Sequence, residues 1–175
     1  MQDNSDTTIV VENASNWVTD APEIYLLSKK GDTLTCYTYR DLVYQRSGIL
    51  IPKRIRGEMR KANRLKILVT EIDVNEFLYV SAIDQKTLGE LWNKIKREKP
   101  WTLLDDQAEG QGCGMTSKSN AYISDDGGLN LYLITKSEIK KLEFYAPWFY
   151  QKQCRSRQGR KSVLRIGALF HKYVQ

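Results

Sequence analysis

The residues best suited by type and spacing to do chemistry are Asp125-Asp126 and, about a strand's length later, Glu138-Ile139-Lys140. Carboxylates so spaced can hold a divalent cation while a lysine just beyond them positions an attacking water, the arrangement that cleaves phosphodiesters. The same letters have a plainer use. Thr135-Lys136-Ser137-Glu138 has the spacing of a capping box, and Asp125-Asp126-Gly127-Gly128 is turn chemistry. Metal-assisted cleavage wants the Glu and Lys on a strand, whereas this pattern predicts that they begin a helix.

Other reactive types fit no mechanism better. Gly110, Gly112 and Gly114 could bring backbone amides around a phosphate. Their spacing is neither the P-loop nor the dinucleotide fingerprint, and no apolar strand leads into them, so a flexible connection is expected. Cys113 lies among these glycines, but the only histidine is His171, near the C-terminal end. A Cys–His pair would need those distant segments to meet. The three cysteines, Cys36, Cys113 and Cys154, have no CxxC spacing, which argues against a disulfide framework and a zinc site and predicts reduced thiols. We assign no catalytic residue, metal or cofactor, and a metal-dependent nuclease stands as the second alternative.

The clearer signal is charge. Residues 51–66 carry Lys53, Arg54, Arg56, Arg60, Lys61, Arg64 and Lys66 against Glu58 alone. Read as a helix over 52–64 with Pro52 in its first turn, the segment puts Ile51, Ile55, Met59 and Ala62 on one stripe that would dock on a core, with cations around the rest. Residues 151–175 add Lys152, Arg155, Arg157, Arg160, Lys161, Arg165 and Lys172 with no acid. Residues 1–23 hold five acids and no cation, so the remaining 152 residues carry +11 of a chain whose net charge is +6. Segregation this sharp points to a polyanion, and phosphate is the commonest one.

Trp148 and Tyr150 stand directly before the second cluster, and flat rings beside cations are what stack bases while neutralising phosphates. The leading expectation is therefore a non-enzymatic nucleic-acid-binding protein that favours RNA or single strands. Its phosphate contacts would be Lys53, Arg54, Arg56, Arg60, Lys61, Arg64, Lys152, Arg155, Arg157, Arg160 and Lys161, with Trp148 and Tyr150 stacking.

A hydrophobic content of 41% supports a real core in a chain of 175 residues. No run approaches the ~20 apolar residues of a membrane span, and the first residues are acidic where a signal peptide is basic and then apolar. The expected setting is intracellular, cytoplasmic or nuclear, or virion-internal, and neither secreted nor transmembrane.

The elements that must position these residues form an α+β fold, an antiparallel sheet of about five to seven strands with three or four helices on it. Residues 1–22 read as an acidic segment with an edge strand at 7–11, and residues 23–175 as a single domain. Alternation predicts a hairpin over 23–28 and 33–39, with Leu34 and Cys36 on one face, and a second over 65–72 and 77–83 at the sheet centre. A short helix falls at 40–46. Asp84 caps a helix over 85–99 whose Leu88, Leu91, Trp92 and Ile95 recur at helical spacing, and Pro100 stops it. Residues 102–120 read as a mobile acidic loop, 121–124 and 129–135 as a hairpin, 135–145 as a helix, 151–165 as an exposed basic segment and 162–170 as a last strand.

Over residues 33–72 the order of elements is a strand entering Thr38-Tyr39-Arg40-Asp41-Leu42-Val43, a short helix, a basic segment and a strand. This order resembles that of rhabdovirus matrix proteins. The resemblance implies the first alternative, a self-associating structural protein that binds an anionic membrane, a nucleocapsid or both. The chain departs from that family in lacking a Lys-rich N-terminal arm and a PPxY segment.

Overall fold

The N-terminal strand is the middle of the molecule. In the computed structural model, which describes residues 2–14, 23–39, 54, 55, 57, 58, 61, 78–109, 123 and 126–174, β1 (Thr7–Ala14) pairs antiparallel with both β2 (Glu23–Lys30) and β5 (Gly128–Thr135). With β3 (Thr33–Tyr39), β4 (Leu78–Val80) and β6 (Ile139–Tyr145) it forms a six-stranded antiparallel sheet of order β4-β3-β2-β1-β5-β6. The edge position expected for residues 7–11 is therefore corrected. Ile9 and Val11 are buried on one face and Thr8 and Val10 on the other, and a strand buried on both faces belongs inside a sheet.

The first hairpin forms as expected, closed by Gly31-Asp32 with Gly31 at a φ of 55°, where glycine avoids the Cβ clash. Leu34 and Cys36 face the core. β4 pairs only with β3 among the described residues, and Tyr79 and Val80 are exposed, so this strand ends the described sheet where a central position was expected. Residues 40–46 and 65–72 lie outside the described residues.

The largest correction concerns residues 135–145, expected as a helix. They form a turn and β6, hairpinned to β5 with Leu131 opposite Leu142 and Leu129 opposite Phe144. Leu142 and Phe144 are buried while Ile139, Lys141, Glu143 and Tyr145 are exposed, a period of two. The Thr-x-x-Glu spacing serves the turn instead. Glu138 N donates to Thr135 Oγ1 at 3.1 Å, and Thr135 N donates to Glu138 O at 2.8 Å. β5 thus takes β6 as its hairpin partner, in place of residues 121–124.

Three helices have described bounds; the first and third pack on the core face of the sheet, and the second packs on the third. α1 (Gln85–Arg97) is capped by Asp84, which accepts from Thr87 N at 3.0 Å, and it buries Leu88, Leu91, Trp92 and Ile95. A 3-10 turn at Pro100–Thr102 follows. α2 (Pro147–Gln153) leads through Cys154 to α3 (Gln158–Val174). α3 replaces the strand expected at 162–170. Val163, Ile166 and Phe170 are fully buried at spacings of three and four, a helical period that emerges once the window is widened to 158–174. At Gly159 the helix passes so close to residue 104 that a Cβ would overlap the Leu104 carbonyl oxygen.

Cys36 is a free, fully buried thiol, pushed up to about 11 by desolvation. Cys154 is disulfide-bonded, which overturns the reduced-thiol reading at that position and removes the cysteines as an argument about compartment. No helix among the described residues is long and apolar enough to cross a membrane.

Candidate nucleic-acid interface

The outer side of α3 is set by the same period that buries its inner side. Lys161, Arg165, Ala168 and Lys172 recur at intervals of four, three and four and are all exposed, opposite Val163, Ile166 and Phe170. At 1.5 Å per residue the three cations form a straight row about 16 Å long. α1 lies beside it and runs antiparallel, because Lys94 Nζ donates to the Tyr173 hydroxyl while Arg165 Nη1 meets Glu98 Oε1 at 3.4 Å. The Lys94 and Lys172 ammonium groups lie 4.9 and 5.7 Å from the Tyr173 ring centroid. Lys86, Lys96, Arg97 and Lys99 are also exposed on or just after α1, so cations dominate both helices that face away from the sheet.

The residues expected from sequence divide into three groups. Lys53, Arg56, Arg60 and Arg64 lie outside the described residues. Arg54 and Lys61 are helical and exposed, and so are Gly57 and Glu58 between them. Ile55, expected to dock on the core, is 51% exposed, so helical periodicity here does not mean burial. Lys152, Arg155 and Lys161 are exposed, as a phosphate contact requires.

Arg160 is a correction. Its side chain is buried, with Nε 2.6 Å from Asp106 Oδ1 and the guanidinium 5.2 Å from the Tyr150 ring centroid. The contact is ionic rather than directional, since neither of these two atoms has an aligned hydrogen bond. Burial raises the Asp106 carboxyl above its ordinary value, and the Arg160 charge offsets this only in part. Arg157 is engaged as well, donating to the Glu109 carbonyl, while Glu109 Oε1 accepts from Gly159 N at 3.1 Å in the first turn of α3. The acidic stretch expected to be a mobile loop is therefore, over residues 103–109, fastened to the start of α3. Residues 110–120 lie outside the described residues.

The two expected stacking rings also separate. Tyr150 is enclosed by Phe149 at 5.2 Å, Tyr145 at 6.3 Å and Arg160, so its face is already used. Trp148 is 47% exposed. Sequence reasoning counts Arg165 and Lys172 in the second basic cluster but not among the phosphate contacts, because a strand over 162–170 hides their alignment with Lys161.

Asp125 lies outside the described residues, and with Asp126 the carboxylate–lysine pattern does not assemble. Asp126 precedes β5 and Glu138 follows its far end, so eight strand residues, about 26 Å, lie between them. Lys140 Nζ donates instead to the carbonyls of Trp101 at 2.8 Å and Leu103 at 2.9 Å. Among the described residues no group of His, Cys, Asp and Glu is arranged to hold a metal ion.

No protein-family model matches the chain, and no curated protein matches it in sequence.

Proposed function

We propose that this protein is a non-enzymatic nucleic-acid-binding protein that holds the phosphate backbone on the outer face of its helices, favouring RNA or single strands. One observation carries the reading. Residues 85–99 hold five cations and two acids, and residues 151–175 hold seven cations and no acid, a net +10 in a chain whose total is +6. The helices Gln85–Arg97 and Gln158–Val174, which hold most of these cations, contact each other and the sheet, so much of the surplus lies in one helical layer. Arg160 is neutralised by Asp106 and Arg165 is shared with Glu98. The phosphate contacts are then Lys152, Arg155, Lys161, Arg165, Lys172 and Arg97, with Arg54 and Lys61 as further exposed cations. Among the described residues no helix-turn-helix offers side chains for reading duplex sequence, and the sequence has no paired Cys/His finger spacing.

The test is fluorescence anisotropy with labelled oligonucleotides over a salt series. About four to six phosphate contacts on a single strand give a log–log slope of about −3 to −4. Replacing Lys161, Arg165 and Lys172 together by glutamate abolishes binding while the circular dichroism spectrum is unchanged. Binding that ignores salt, or that survives this triple replacement, refutes the proposal.

A further inference from the structure

Resting on the reading above, we infer that the strand is bound with its bases unpaired, and that Trp148 is the platform on which one base stacks while Lys152 takes the adjoining phosphate. Among the described tryptophans, Trp92 is 9% exposed and packs edge-on against Trp101 at 6.4 Å, whereas Trp148 is 47% exposed. Looseness of α2 does not explain this exposure. The helix is anchored at its start by buried Pro147 and by Ala146, held at a φ of 42°, whose N–H donates to Gly127 O at 2.9 Å. Its far side is pinned by the Tyr150 cluster and its end by buried, disulfide-bonded Cys154. A large ring kept half in water on so fixed a support is poised for a partner.

The neighbours of Trp148 say which partner. Lys152 is exposed one turn further on, four residues along the same side of α2, and Arg155 is exposed just beyond the helix. One turn rises about 6 Å, a span that suits a base and its own phosphate. Residues 147–175 themselves hold no acid, and the Asp106 carboxylate that reaches this region is paired with Arg160. A base inside a duplex has both faces stacked and cannot reach the indole; an unpaired base can.

The full chain is tested with a short oligothymidylate and with a duplex of equal length, using Trp148→Ala, Trp148→Phe and the double variant Lys152→Ala/Arg155→Ala. Single-strand affinity falls about tenfold to a hundredfold in Trp148→Ala, the loss of one stacked base, and is largely kept in Trp148→Phe. The duplex, bound through phosphates alone, is unaffected by either. Indole emission is quenched by the oligonucleotide in the parent and much less in Trp148→Phe. The double variant lowers the single-strand salt slope by about 1.4.

Equal single-strand affinity in Trp148→Ala and parent overturns the inference. So does a Trp148→Ala loss equal for single strand and duplex, or a Trp148 emission shift seen only with vesicles of anionic lipid. If the triple glutamate replacement on α3 abolishes binding while Trp148→Ala does not, the inference alone fails. If the parent binds no oligonucleotide at low salt, the proposed function fails with it.

Discussion

Replacing Gly159 by alanine sets two effects of opposite sign against each other. Alanine inside a helix is worth about 1 kcal/mol over glycine. Gly89 in α1 has nothing within 4 Å of where a Cβ would sit, so Gly89→Ala collects that gain. In a chain of this size the melting temperature rises about 2–4 °C for each kcal/mol. At Gly159 the new Cβ overlaps the Leu104 carbonyl oxygen and comes 3.3 Å from Phe144 Cε1. Neither neighbour can yield easily. Phe144 is 1% exposed in the core. Leu104 is held on both sides, by Lys140 on the Leu103 carbonyl at 2.9 Å and by Asp106 N on Glu143 O at 3.4 Å. Relief requires residues 103–106 to lift away. Overpacking of this kind costs about 1–3 kcal/mol, and strain on the Asp106–Arg160 pair adds to it, since breaking a buried pair costs about 3–5 kcal/mol. Net of the propensity gain, Gly159→Ala is destabilised by about 2–5 kcal/mol, a fall of roughly 4–20 °C. Thermal melts of both variants with the disulfide intact decide the matter. A Gly159→Ala melting temperature at or above the parent's refutes the close approach of residue 104 to α3.

Arg160→Ala leaves the Asp106 carboxylate half-buried without its partner and lowers stability by about 2–4 kcal/mol in urea titrations, while Lys161→Ala, at an exposed position, changes it by less than about 0.5 kcal/mol. The Cys36 thiol, fully buried and titrating near 11, does not react with a thiol reagent at neutral pH in the folded protein and does so in denaturant; rapid labelling of native protein contradicts its burial. Asp6, bonded by Gly31 N and paired with Lys136 at 2.9 Å, and Asp84, bonded by Thr87, are both lowered from 3.8. Their contribution to stability is complete above pH 3.8 and is lost as pH falls through their lowered values. Asp106 is raised and runs the other way: its contribution is complete below pH 3.8 and fades as pH rises through its raised value. Urea midpoints between pH 2 and 6 therefore fall more gently on acidification in Asp84→Asn than in the parent, and an unchanged slope counts against the capping bond.

Local pattern carried much of this fold. α1 was legible throughout, because Asp84, the Leu88-Leu91-Trp92-Ile95 period and Pro100 each act within a few residues of the helix they define. The β2–β3 hairpin was legible for the same reason, through strict alternation around Gly31-Asp32. Where two local signals competed, pattern misled. Thr135 and Glu138 satisfy each other equally well at a helix start or across a hairpin turn, and only the pairing of Leu142 and Phe144 with β5 decides for the strand.

The sequence alone determined the α+β class, the segregation of positive charge and the nearness of aromatic rings to the second basic cluster. Tertiary structure decided that β1 is central, that Tyr150 is enclosed while Trp148 is open, and that Arg160 belongs to Asp106 while Lys161 beside it faces water. The reason is range. Helical and strand periods are written into neighbouring residues, but which strand lies beside β1, and which carboxylate meets a given guanidinium, depend on contacts between segments far apart in the chain. Burial and charge neutralisation follow from those contacts.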